Sequence, residues 1–515
     1  MPRLRLLRSS LGLMAVALAL LGTGAILLST AFDTEASARL LGGNAPVNVG
    51  AASLLDVSAH NSPTVARSPV DGARLAIANR LDQPGFSCAL HLSPDSGATW
   101  SQLPIPAPRG EEGKCFAPDV ASGADGTLHL SFVTLKGRGN VPHAVWTSTL
   151  RPGARALSTP VRAGGPLSFQ VRLSADPDVP GRLYLTWLQA ADVGLLRFTG
   201  PGNPIRFARS DDGGRRWGPH ARVSGAARGR VVAASLARGP GRGLYVVYLD
   251  LGDDRLDYEG GHQGRGGPPY PGPWRLVLSR SLNGGASWEE NVIDEVVPTE
   301  RFLAFLPSFP SLAIDRRRNV LYAAFHDGRL GDADVRLWSS ADRGATWSGP
   351  RRINDTPRRD RTAQYLPRLA VAPNGRLDVL YYDRRSDPRN VMNDVSLQSS
   401  FDGGKTFTDS LRLTDRPFSS RIGFGSERGM PDLGSRLGLV SSENRALAVW
   451  TDTRAGGKVP GKQDLTRAVV AIPQAPGLPG AVRCGLRYGG AVLLLAWLAV
   501  LAARVIRLRS RRSAA

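Results

Sequence analysis

The chain has 515 residues, is 42% apolar and carries a formal charge of +21. Its apolar share, with 59 Gly and 38 Pro, describes a turn-rich folded chain, and three Cys exclude a disulfide-dense mini-protein. Sixty of the 65 basic residues are Arg, which reflects coding bias as much as an anionic partner, and basic charge alone does not make a nucleic-acid binder.

Arg3, Arg5 and Arg8 precede an apolar run from Leu11 to Leu28. Residues 1–38 therefore read as a signal peptide or a signal anchor. Ala36-Ser37-Ala38 offers a small-residue cleavage site, whereas the run exceeds the ~7–15 residues of a usual signal core. Cleavage and retention both stay open.

Short apolar runs then recur: LAIAN at 75–79, LHLSF at 128–132, LYLTW at 183–187 and LYVVY at 244–248. They continue as LYAAF at 321–325, LDVLY at 377–381 and ALAVW at 446–450. Each is β-prone, follows another strand-like segment and is mostly preceded by Gly or Asn turns. Five copies of one polar phrase follow: SPDSGATW at 93, SDDGGRRW at 210, SLNGGASW at 281, SADRGATW at 340 and SFDGGKTF at 400. The last two spacings are 59 and 60 residues, which suits a four-stranded propeller blade. Blade 2 has WTSTLRPGARAL where a box is due, and blade 7 ends in DLTRAVVAI without one. The expected fold is all-β, a propeller of seven blades with six as the alternative, over residues 39–472. The segment PVNVGA at 46–51 has no blade of its own and is expected to complete blade 7, closing the array.

Each box is expected in the turn between the third and fourth strands. Asp95, Asp212, Asn283, Asp342 and Asp402 would bond turn amides, and Trp100, Trp217, Trp288, Trp347 and Phe407 would pack between blades. Cys88 and Cys115 are expected to form a disulfide outside the membrane. Six residues past the start of each run, blades 5 to 7 carry Asp327, Asp383 and Asp452, with Arg329, Arg385 and Arg454 two further on. This repeated D-x-R is a candidate ligand site, either as three guanidiniums around one anion or as Arg paired within its own blade. The adjoining loops hold Arg358, Arg359, Arg361, Arg421 and Arg428. Asp250, Asp253, Asp254 and Asp257 in the long blade 4 loop are candidate Ca²⁺ ligands, although their spacing fits no EF-hand. No cofactor and no other metal are expected.

Residues 473–487 read as a linker, 488–506 as a transmembrane helix and 507–515 as a basic tail with Arg507, Arg509, Arg511 and Arg512. The positive-inside rule puts both ends in the cytoplasm and the propeller outside, at a cell surface or in a periplasm. A monomer is expected.

The repeated S-x-D-x-G-x-T-W phrase resembles the Asp box of the sialidase-like propeller superfamily. CFAPDV at 115–120 and DLGSRLGLVSSENRALAVWTDTR in blade 7 agree with bacterial members, with Leu433 where a Tyr is usual. The resemblance spans roughly 45–472. It implies a propeller and, for the enzymes, three Arg on a carboxylate, a Tyr/Glu nucleophilic pair and an Asp acid/base. No R-I-P motif is present; Tyr365 and Glu427 are the nearest candidates for the pair. The expected function is a membrane-anchored, non-catalytic binder of a glycan or anionic polymer. The alternatives are an exo-α-sialidase-type glycoside hydrolase and an envelope protein scaffold.

Overall fold

Strands that are packed on both faces bury every side chain rather than alternate ones. Leu244–Asp250 and Leu377–Asp383 do so at all seven positions. The computed structural model describes residues 14, 16–27, 38–197, 200–255, 268, 270–299, 308–425, 432–473 and 480–512. It divides into two units, Leu40–Val470 and a second made of Met1–Arg39 with Ala471–Ala515.

In the first unit the strands form seven antiparallel sheets, the blades of a β-propeller. Blades 1 to 6 span 60–103, 115–164, 168–222, 231–296, 311–352 and 364–419 in chain order. Blade 7 takes three strands from 438–471 and its outer edge from the N-terminal pieces Arg39–Leu40 and Ala45–Pro46. The first strand of each blade touches the first strands of both neighbours, so these seven strands ring the axis.

The closure starts earlier than the expected 46–51, at Arg39–Leu40, and uses the first residues of that segment. Ala45 and Pro46 pair with Arg467 and Thr466, and the Val47 amide donates to the Leu465 carbonyl at 2.8 Å. Asn48 then ends the ladder with its side chain. It accepts from the Leu465 amide at 2.8 Å and donates to Asp464 at 2.9 Å. Cys88 of blade 1 and Cys115 of blade 2 are joined in a disulfide, their Cα atoms 5.4 Å apart.

The five boxes fold alike. Ser93 Oγ donates to Asp95 and accepts from the Gly97 amide, both at 2.8 Å. Asp95 also accepts from the Thr99 amide at 2.9 Å and the Thr99 hydroxyl at 2.6 Å. Asp212, Asn283, Asp342 and Asp402 repeat the amide bond at 2.9 to 3.0 Å. These bonds, led by Thr99 and Thr346, hold Asp95 and Asp342 at a pKa of about 2. Each box leans on the blade before it. A Cβ at Gly285 would lie 2.2 Å from Phe207, and one at Gly344 2.2 Å from Leu278; both glycines have positive φ. Trp288 stacks edge-on against Phe207 at 5.2 Å, and Trp217 donates to Thr147 of blade 2 at 3.1 Å. The boxes thus seal joints between blades.

Two joints lack a box. Between blades 6 and 7 a fully buried Arg376–Asp378 pair at 2.9 Å takes its place. Arg376 also donates to the carbonyls of Ser442 and Glu443 in blade 7, and Ser441 donates to Asp378.

The second unit holds the helices Val16–Leu27 and Gly480–Arg512. The latter begins inside the expected linker, and its stretch Gly485–Ala503 is long and apolar enough to cross a membrane. A Cβ on Gly22 would come within 2.9 Å of the Gly490 carbonyl oxygen. Glycine at both positions lets the two backbones touch.

Candidate anion site at the propeller axis

The D-x-R arginines lie at the joints between blades. Arg329 bonds Asp327 of its own blade at 2.5 Å and Asp294 of blade 4 at 3.1 Å. Arg385 bonds Asp383 at 2.6 Å and Asp355 of blade 5 at 2.7 Å. Arg454 bonds Asp452 at 2.6 Å and also Asp415 of blade 6. Each guanidinium is committed to two carboxylates on adjacent blades, not gathered with the other two around one point. Burial works to lower the pKa of all three, and Asp327, Asp383 and Asp452 outweigh it, so all three are raised.

Tyr365 is fully buried, donates to Asn393 at 2.9 Å and accepts from Arg384 at 3.2 Å. Burial raises its pKa, the opposite of what a nucleophilic phenolate needs. Glu427, Arg428 and Asp257 lie outside the described residues. Asp250 is engaged by Arg228 at 2.6 Å, and buried Asp254 accepts from Trp274 at 2.7 Å, while Asp253 is exposed. Arg358, Arg359, Arg361 and Arg421 are exposed. Among the described residues no three His, Cys, Asp or Glu group as a metal site.

The axis is different. The first strands of five blades share one β-bulge, with a positive-φ residue inside it: Ser62, Ala117, Gln170, Ala233 or Leu366. Such bulges re-aim the residue that follows. That residue stands opposite the fourth position of the second strand in every case: Thr64, Asp119, Arg172, Ser235 and Arg368. Asp119, Arg172 and Arg368 therefore share one level of the central wall. Arg436 of blade 7 joins them and donates to the Pro118 carbonyl at 3.0 Å.

Among the described residues the charges at this level do not balance. Arg172 and Arg436 are 6% and 7% exposed. Asp119 is the carboxylate facing them. It lies 3.8 Å from Arg172 Nη1, while its Oδ2 accepts from the Leu173 amide at 3.0 Å. Arg172 also stacks on Phe309, its guanidinium carbon 4.2 Å from the ring centroid. Arg368 Nε and Arg436 Nε are buried with no hydrogen-bond partner, as is Gln170 Nε2. Burial and the neighbouring Arg436 and Arg368 push Arg172 well below the ordinary Arg range, against Asp119. Burial, with Arg368 and Arg80 and against Asp119, brings Arg436 to about 10. Burial lowers Arg368 too. Nearby Arg80 is neutralised by Asp82 at 2.6 Å and by Asp432. Two buried cations and the half-buried Arg368 against one shared carboxylate among the described residues form a site that an anion would relieve.

Sequence reasoning passed over these residues. The available signal was an Arg-Leu pair inside the first strands of blades 3 and 6 and just before that of blade 7, Arg172-Leu173, Arg368-Leu369 and Arg436-Leu437.

No family model matches the chain, and no curated protein matches it. Solved structures do. A protein of unknown function from Dyadobacter fermentans DSM 18053 matches at 13% identity and a TM-score of 0.46, over 84% of this chain and 99% of that one. A Hadza microbial sialidase matches at 13% identity and 0.43, over 80% and 65%. A phage phi92 endosialidase matches at 11% identity and 0.47, over 86% and 70%. These are similarities of the chain, and the activities in those names are said of those proteins alone.

Proposed function

We propose that this chain is a membrane-anchored propeller that binds an acidic glycan at its axis and does not turn it over. The observation that carries the reading is the set Arg172, Arg368 and Arg436 sharing the carboxylate of Asp119 among the described residues. A carboxylate or sulfate entering there gains charge-assisted hydrogen bonds, each worth about 1.5–3 kcal/mol. Binding without hydrolysis is supported by Tyr365, whose hydroxyl is buried and engaged by Asn393 and Arg384.

The anchoring part rests on the apolar stretch Gly485–Ala503 and the Arg residues that follow it. The contact between Gly22 and Gly490 supports retention of the N-terminal helix beside it.

The test is a screen of the full chain in lipid nanodiscs against neutral and acidic oligosaccharides, with an assay for released sugar. Retention of acidic members without release is expected. Retention of neutral members only, or of none, overturns the axial site, and sugar release overturns the non-catalytic reading in favour of a hydrolase.

A further inference from the structure

The joint between blades 1 and 2 has no box either, and it is closed by a disulfide and a shared apolar cluster rather than by an aromatic box residue or a buried ion pair. In boxed blades the residue after the aromatic returns a hydrogen bond to the end of the third strand. Gly218 N–H donates to the Arg209 carbonyl and Thr408 N–H to that of Ser399, at 2.8 and 2.9 Å. In blade 2 the same bond runs from Ser158 N–H to the Thr149 carbonyl at 2.8 Å. This register puts Leu157 where Trp217 and Phe407 stand in their blades. Leu157 packs on the core shared by blades 1 and 2, yet it is far smaller than an indole.

At this joint, beside the core on which Leu157 packs, lies a cavity of about 320 Å³, lined by Leu75 and Leu92 of blade 1 and by Leu128 and Leu150 of blade 2. Arg74, which pairs with Asp71 at 3.1 Å, and Arg151 stand on its lining and are exposed, and Ser68, Ser93, Ser101 and Ser122 add hydroxyls. On its other side the same turn borders a second cavity of about 370 Å³ against blade 3. The disulfide between Cys88 and Cys115 ties blades 1 and 2 together, so this joint has a covalent closure besides packing. A volume of this size, with an apolar floor of leucines and a substantial polar share of serines and arginines, is of the kind that takes a small amphipathic ligand.

We propose that the cavity between blades 1 and 2 binds a small aryl carboxylate. Its ring occupies the space that an indole fills at the boxed joints, and its carboxylate faces Arg74 and Arg151. The site lies on the face that carries the box turns and is separate from the axial arginines.

Indole-3-acetate is the probe, titrated into the full chain in lipid nanodiscs with empty nanodiscs subtracted. Saturable binding in the sub-millimolar range is expected. Leu157→Trp rebuilds the missing aromatic and should weaken binding at least tenfold while raising the melting temperature. Ser122→Leu fills the same cavity from blade 2 and should also weaken binding at least tenfold, and it decides the matter if Leu157→Trp fails to fold. Arg151→Ala should weaken binding about three- to fivefold, and free indole should bind correspondingly less tightly than indole-3-acetate. Absence of saturable binding, unchanged affinity in a folded cavity-filling variant, or displacement of the probe by an acidic oligosaccharide overturns the proposal. The acidic-glycan reading of the axis stands or falls independently of these outcomes.

Discussion

Two sets of three arginines sit in this propeller, and they live in opposite electrostatic conditions. Arg329, Arg385 and Arg454 at the outer joints each hold two carboxylates, and their pKa values are raised. Arg172, Arg368 and Arg436 at the axis share Asp119, and theirs are lowered. The first set is complete as it stands and ties blades together. The second keeps uncompensated charge in a buried place, which costs stability and is the usual sign of a site kept for binding. The difference shows why repetition in sequence is a poor guide to function here. D-x-R recurs at equal offsets because every joint needs the same tie, whereas the axial arginines come from blades 3, 6 and 7 and follow no regular spacing.

The largest expected effect concerns the buried histidines, whose burial outweighs any nearby carboxylate. Burial lowers His60 and His129 to about 4, and His91 and His326 to about 3. The folded state resists protonation that the unfolded chain accepts near 6.5. Stability is therefore full above pH 6.5 and is lost as pH falls from there through about 4. Asp464, raised to about 6 by burial, and Asp82, also raised by burial, act in the opposite sense, their contribution being lost as pH rises. Asp327 and Asp383, raised by burial too, act as Asp464 and Asp82 do; the four histidines, whose shifts are large, outweigh these carboxylates, so unfolding free energy should fall between pH 7 and pH 4.5. Equal denaturant midpoints at the two pH values would show that the histidines are not held neutral.

Next in size is Arg385→Met, which leaves Asp383 fully buried with Ser396 as its remaining side-chain donor of note. Removing one partner of a buried pair costs about 3–5 kcal/mol, and the partial exposure of Arg385 puts the expected loss near the lower end. Arg368→Met should behave in the opposite way. It removes a half-buried charge that holds no ion pair among the described residues and keeps the volume, so stability should stay level or rise by up to about 1 kcal/mol. Denaturant melts of both variants in the full chain check the contrast, and a loss in both of equal size would erase it.

The smallest effect refines the account of the boxes. Thr346→Val removes the hydroxyl bond to Asp342 and leaves the amide bond in place. A cost of about 1 kcal/mol is expected from one exposed hydrogen bond in a turn that keeps its other ties. A cost of 3 kcal/mol would mean that the hydroxyl, not the aromatic, holds the joint.

Much of the fold was legible because propeller blades repeat both an apolar run and a turn. The seven runs from LAIAN to ALAVW are the seven second strands. Closure by the N-terminal strand was legible from the unfinished blade 7, but its register was not. Two-residue strands have too little periodicity to align, and the side chain of Asn48 ends the ladder where alternation would continue it. Arg376 was invisible for another reason: it substitutes for a box at the joint between blades 6 and 7 with unrelated chemistry, so no pattern points to it. The axial site depends on bulges that turn Asp119, Arg172 and Arg368 to one level, and a bulge leaves no signature in a single strand.

The central claim is that the axis, not the ring of outer joints, holds the anion. Isothermal titration of a heparin tetrasaccharide, which carries both carboxylates and sulfates, into wild type, Arg368→Met and Arg385→Met tests it most directly. Loss of one charge-assisted bond of about 1.5–3 kcal/mol corresponds to at least a tenfold change in affinity. The account predicts that Arg368→Met weakens binding at least tenfold while remaining as stable as wild type, and that Arg385→Met, though less stable, binds within twofold. Binding lost in Arg385→Met and kept in Arg368→Met would contradict it and return the anion to the D-x-R arginines.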